Sequence, residues 1–190
     1  MKQWLFSRGV KWTFILLTLT IAGTLLTQYA IRYGDEELDR YHGIDRGAKE
    51  KLFKSVRKIL RDSDRLELYS LDPDPLQRRG ETSSTFHHFP ILGSTVVTDA
   101  KKQKTIVSDV EYGIKKSDGS MAMCFNPRHG IRATSKETTA DLVICFECST
   151  VRLSCGNQSN EAALSTSSYA KPLLDTILMD ANVSLTPKSK

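Results

Sequence analysis

Four cysteines, Cys124, Cys145, Cys148 and Cys155, fall within 32 residues of a 190-residue chain. Cys145-Phe146-Glu147-Cys148 has the two-residue spacing of many zinc sites. If the segments around 121–125 and 139–149 join as a hairpin, Cys124 comes near Cys145 or Cys148. Cys124, His129, Cys145 and Cys148 then form a candidate metal set. They also form a candidate thiol centre, because a thiolate nucleophile needs a nearby base and His129 is five residues from Cys124. Strand geometry opposes the metal option. Side chains alternate on a straight strand, so positions 145 and 148 face opposite ways. A zinc knuckle needs a turn between its cysteines, and Phe-Glu inside an apolar run carries no turn signal. The plainer expectation is that the cysteines are small buried hydrophobes, with no metal or cofactor and no catalytic residue.

Asn126-Pro127-Arg128-His129-Gly130-Ile131-Arg132 is the best recognition segment in the chain. Pro127 stiffens a turn, Gly130 permits unusual backbone angles, and two arginines with a histidine can meet an anion. Asn126, Arg128, His129 and Arg132 are therefore the candidate binding residues. The competing expectation is that Arg128 or Arg132 pairs with Asp141 or Glu147 across the hairpin. His87-His88 precedes an apolar strand, and adjacent strand residues face opposite ways, so a shared metal is not expected there. No Gly-rich phosphate loop, nucleotide fingerprint or serine-nucleophile elbow is present.

Several elements are needed to position these residues. The periodicity predicts an amphipathic helix over 44–63, with Ile44, Ala48, Leu52, Phe53, Val56, Ile59 and Leu60 on one face. RLELYSL (65–71) alternates like a strand. Residues 72–86 collect Asp, Pro, Gly and Ser/Thr and read as a loop. HHFPILGSTVV (87–97) returns to extended chain. Thr98 can cap a helix over 99–116 with Ala100, Val107, Val110 and Ile114 inward. TADLVICFECS (139–149) is the strongest strand, and TVRLSCG (150–156) extends it or turns back. Pro172 suits the first turn of a helix over about 170–182. The order reads as α+β: a mainly antiparallel sheet with helices on one face. The domain spans 44–183, and 184–190 is a flexible tail.

Ahead of the domain, residues 12–31 contain no charged side chain. Twenty helical residues reach about 30 Å, the thickness of a bilayer core. The expectation is a basic tail (1–11), a transmembrane signal anchor (12–31) and a juxtamembrane segment (32–43). Trp12, Tyr29 and Tyr33 sit where aromatic rings favour the headgroup level. Thr20, Gly23, Thr24 and Thr27 form a small-residue stripe through which two such helices could self-associate. Lys2, Arg8 and Lys11 before the run, against Asp35, Glu36 and Glu37 after it, place the domain on the extracytoplasmic side of the membrane.

The net charge is +5, of which residues 1–34 carry +4. The rest of the chain is close to neutral, without the basic stripe of a nucleic-acid binder, so no nucleic-acid partner is expected.

Pro90-Ile91-Leu92-Gly93-Ser94, Cys124-Phe125-Asn126-Pro127-Arg128-His129-Gly130-Ile131-Arg132 and Leu142-Val143-Ile144-Cys145-Phe146-Glu147-Cys148 together resemble a group of small bacterial hypothetical proteins. Those proteins carry a CFxPxxGxR-type turn followed by a CFxC-type strand. The resemblance covers about residues 64–155. It implies a single small α+β domain and no reaction. The expectation from sequence is a single-pass membrane protein whose non-enzymatic domain binds or senses a partner at the membrane surface. The alternative is a metal- or thiol-dependent enzyme or redox protein built on Cys124, His129, Cys145 and Cys148.

Overall fold

The computed structural model describes residues 20–28, 46–74, 84–156 and 161–186. The chain divides into two compact units, Met1–Gly47 and Ala48–Lys190. In the first, residues 20–28 form helix α1. The hydroxyls of Thr24 and Thr27 donate back to the carbonyls of Ile21 and Gly23, which occupies them within the helix.

The transmembrane architecture expected for 12–31 is overturned. Among the described residues no helix is long and apolar enough to cross a membrane. Residues 12–19 and 29–31 lie outside the described residues, as do the basic tail, most of the loop expected over 72–86, and the end of the C-terminal tail.

The second unit is α+β. Its elements are α2 (Arg46–Arg61, which begins just before the unit boundary), β1 (Arg65–Leu71), β2 (Thr85–Phe86), β3 (Phe89–Val97), α3 (Ala100–Lys115), β4 (His129–Ser135), β5 (Thr138–Cys145), β6 (Thr150–Cys155), β7 (Glu161–Ser165), a 3-10 turn (Ser168–Ala170) and α4 (Lys171–Asp180). The strands form one antiparallel sheet in the order β2-β3-β1-β4-β5-β6-β7.

Strand alternation sorts the side chains into two faces. On one face Leu66, Leu68, Ile131, Ala133, Leu142, Ile144, Val151 and Leu153 meet Val56 and Leu60 of α2, Ile106, Val107 and Val110 of α3, and Leu174, Ile177 and Leu178 of α4. This is the main core; Val56, Leu60, Val107 and Val110 come from stripes read in the sequence, whereas Ala100, also read as inward, is exposed. On the opposite face Tyr69, Leu71, Phe86 and Val143 form a second, smaller cluster, with Phe89, Ile91 and Phe125 packed against it.

Local details differ from the sequence expectation for physical reasons. The N-cap of α3 is Asp99, not Thr98: its Oδ1 accepts the backbone N–H groups of Lys101 at 2.7 Å and Lys102 at 2.9 Å. Residues 85–86 belong to the sheet as β2, and β7, absent from the sequence reading, forms the far edge. Gly130 is needed for close approach. A Cβ there would stand 2.8 Å from Cδ1 and Cε1 of Phe86 and 3.3 Å from Tyr69 Cβ.

A candidate thiol–disulfide site

The apolar run 139–149 is not one strand. β5 ends at Cys145, which pairs with Thr150 across the hairpin, and Phe146–Ser149 form a turn. Ser149 takes φ +50°, and its N–H donates to Phe146 O at 3.3 Å. Two other segments pin the turn. Ala122 N–H donates to Cys148 O at 2.9 Å, and Thr166 N–H to Ser149 O at 3.0 Å. The alternation argument against Cys145 and Cys148 therefore fails, because the chain reverses between them. Their Cα atoms are 5.2 Å apart and their sulfurs are bonded as a disulfide.

The third sulfur comes from the segment leading into β4. Residues 121–125 are not a strand; they run beside the turn, held by the Ala122 contact. Cys124 is an exposed free thiol, and its Sγ lies 3.6 Å from Cys148 Sγ. That is close to the 3–3.5 Å separation of reacting atoms in a near-attack arrangement. Cys145 and Cys148 are each 1 % exposed, so Cys124 is the sulfur that faces solvent.

Two backbone donors point at the bridge. Asn126 N–H lies 3.4 Å from Cys148 Sγ and Cys148 N–H lies 3.2 Å from Cys145 Sγ. Hydrogen bonds to sulfur favour the thiolate, the reactive form of the cysteine. Cys155 stands apart as a partly buried free thiol, its pKa raised by burial. Sequence reasoning placed Cys124, Cys145 and Cys148 together through the hairpin. It missed the turn because Phe-Glu-Cys-Ser continues an apolar run and carries no Gly, Pro, Asn or Asp, Ser149 being its one common turn residue.

The Asn126–Arg132 segment does not present one exposed surface. Asn126 serves through its backbone. Arg128 donates to Glu147 at 3.3 Å and to Thr186 O at 3.4 Å. His129 is 3 % exposed, with Nε2 2.7 Å from Asp175 Oδ1 of α4, and its ring packs edge-on against Phe146. Burial raises the pKa of Asp175, but hydrogen bonds from His129 and Lys171 outweigh it and hold the carboxyl low. Arg132 points to the opposite face and meets Asp141 through two hydrogen bonds, at 2.8 and 2.6 Å. His129 is thus tied to α4 and is not set beside Cys124 as its base. Among the described residues no group of three His, Cys, Asp or Glu side chains is arranged to hold a metal ion; in this state two of the three clustered sulfurs are consumed by their own bridge.

A second polar cluster went unread in the sequence. His87 and His88 do not lie on a strand. They are the two central residues of the β2–β3 turn, at φ +49° and +73°, a conformation that usually takes Asn-Gly. The turn brings His87 Nε2 to 2.9 Å from Asp141 Oδ2 and Nδ1 to 3.4 Å from Glu161. The Asp141 hydrogen bond raises the His87 pKa above its ordinary value. Burial pushes Asp141 up, but the bonds from Arg132 and His87 outweigh it and lower its pKa.

No family model, no curated protein and no solved structure matches this chain.

Proposed function

We propose that this domain is a thiol–disulfide exchange module in which Cys124, Cys148 and Cys145 pass one disulfide between them and an external dithiol. The single observation that carries this reading is the 3.6 Å contact between the exposed Cys124 thiol and Cys148 of a formed disulfide. In the first step the Cys124 thiolate attacks Cys148 Sγ. The Cys124–Cys148 bond forms, the Cys145–Cys148 bond breaks, and Cys145 leaves as a thiolate that accepts the Cys148 N–H. The disulfide now includes a solvent-facing sulfur. A substrate thiolate attacks that sulfur, giving a mixed disulfide on Cys124 and a Cys148 thiolate. A second substrate thiolate attacks the substrate sulfur, releasing substrate disulfide and the Cys124 thiolate. Overall one dithiol is oxidised and one protein disulfide is reduced. A standing disulfide beside a free thiol suits an oxidising compartment, which agrees with a position outside the cytoplasm.

The binding alternative has less support, because Arg128, His129 and Arg132 are each engaged by an acid and point to different surroundings.

Disulfide mapping after acid quench and alkylation tests the proposal. In a glutathione buffer the wild type yields both Cys145–Cys148 and Cys124–Cys148 linkages. Cys124→Ser leaves only the first and slows oxidation of a dithiol peptide at least about tenfold, through loss of a pre-positioned nucleophile. Cys155→Ser changes neither. Full alkylation of Cys124 with a single Cys145–Cys148 linkage at every glutathione ratio refutes the exchange.

A further inference from the structure

Opening the bridge leaves two buried thiols beside the exposed Cys124, and their spacing suits a metal as well as a disulfide. Metal–thiolate bonds near 2.3 Å put neighbouring sulfurs about 3.8 Å apart in a tetrahedral site and about 4.0 Å apart in a trigonal one. Cys124 and Cys148 sulfurs already stand at 3.6 Å. Cys145 and Cys148 leave the same tight turn, with Cα atoms 5.2 Å apart, so modest side-chain rotation carries the third sulfur to the same separation. The two N–H groups aimed at Cys145 and Cys148 favour the thiolates a metal requires.

We infer that the reduced domain binds one Cu(I) ion through Cys124, Cys145 and Cys148. This rests on the thiol reading only in requiring that the Cys145–Cys148 bridge can be reduced. The choice of ion follows from donor number and softness. Three sulfurs converge, whereas structural zinc takes four ligands. His129 does not supply a fourth in this geometry: Nε2 is held by Asp175, and the buried Nδ1 meets no partner, sulfur included. Thiolate and thioether donors suit soft ions, Cu(I) and zinc among them, and three sulfurs leave tetrahedral zinc one ligand short. The Cys124 segment carries two exposed thioethers, Met121 at 48 % and Met123 at 105 % relative exposure. The fully exposed Met123, next to Cys124 in sequence, suits a site that receives a soft ion from solvent or a partner.

The test is anaerobic titration of the full chain, reduced with a phosphine, using Cu(I) held by a chromogenic competing chelator. X-ray absorption then counts the sulfur neighbours. The expected result is one equivalent of Cu(I) with three sulfur neighbours. Cys124→Ser drops the count to two and weakens binding at least about 100-fold, since even outer-shell changes cost 10–100-fold. Cys155→Ser leaves both unchanged. A two-sulfur site in the wild type, an unaltered Cys124→Ser variant, or retention of Zn(II) against Cu(I) overturns the inference. A Cys124–Cys148 linkage in disulfide mapping without Cu(I) binding sinks the copper site alone. Three-sulfur Cu(I) binding without that linkage sinks the exchange reading alone.

Discussion

Replacing Asp141 with alanine removes the acceptor that joins two cations on the outer face of the sheet. Asp141 is 7 % exposed; it accepts two hydrogen bonds from Arg132, its cross-strand partner, and one from His87. Breaking a buried pair by deleting one member costs about 3–5 kcal/mol when the other charge stays buried. The Arg132 side chain is 39 % exposed and His87 23 %, so both regain part of their hydration, and the expected loss falls to about 2–3 kcal/mol. At roughly 3 °C per kcal/mol for a domain of this size, Tm drops by about 6–9 °C. A double-mutant cycle with Arg132→Ala should return a coupling of about 1–2 kcal/mol.

The pH dependence gives a sharper check. The Asp141 pKa is lowered from 3.8, so its contribution is present above that unfolded value and is lost as pH falls through the folded one. The His87 pKa is raised from 6.5, so its contribution is complete below 6.5 and is lost as pH rises through the folded pKa. The destabilisation by Asp141→Ala is therefore largest between about pH 4 and 6.5. It shrinks on the acid side as the carboxylate is titrated. On the alkaline side only the Arg132 part remains. Urea unfolding followed by circular dichroism at a series of pH values measures it. A loss below 0.5 kcal/mol, a flat profile from pH 4.5 to 8.5, or zero coupling to Arg132 refutes the argument.

Gly130→Ala puts a methyl 2.8 Å from two atoms of Phe86, whose ring is 2 % exposed and stacked 4.5 Å from Tyr69. The expected cost is about 1–3 kcal/mol of overpacking, visible in chemical denaturation and in near-ultraviolet circular dichroism, and unchanged stability contradicts the close approach. Asp99→Ala removes the cap of α3 and should cost about 1 kcal/mol. Thr98→Ala should cost much less, and the reverse order in thermal melts would restore Thr98 as the cap.

The elements whose burial is periodic were legible in the sequence. Val56 and Leu60, Val107 and Val110, and the alternation through Leu66 and Leu68 each follow a helix or strand period, and each is buried. The turns that lack turn residues were not legible. Phe146–Ser149 continues an apolar run. The reversal is held by Ala122, 24 residues before Phe146, and Thr166, 17 after Ser149. His87-His88 forms a tight hairpin turn without Asn or Gly, tied by Asp141 and Glu161 from two other strands. Tertiary partners outweigh local propensity at both places. Glu161–Ser165 reads EAALS, a sequence without β-branched residues, yet it is a strand because β6 offers it an edge. The uncharged stretch 12–31 met a length criterion by composition alone, and among the described residues no helix is long and apolar enough to cross a membrane.

Both unread turns deliver a sulfur or titratable group to β5, and this bears on which parts could move in the proposed disulfide exchange. Asp141 and Cys145 are four residues apart on β5 and share a face. β5 is paired along its length with β4 on one side and β6 on the other. Asp141 is clamped by Arg132 and His87, and Leu142 and Ile144 are locked into the main core. Cys145 pairs with Thr150 of β6 and follows Ile144, which pairs with His129 of β4, so its backbone is anchored by the ladder. Cys124 lies in an exposed segment outside the sheet, and Cys148 lies in a turn held by individual hydrogen bonds. Such segments open at lower free energy than paired interior strands. The proposed exchange would then run by rotation of Cys148 between a fixed sulfur, Cys145, and an accessible one, Cys124. A fixed inner sulfur and an exposed outer sulfur are also the geometry that lets a partner reach the disulfide without unfolding the sheet.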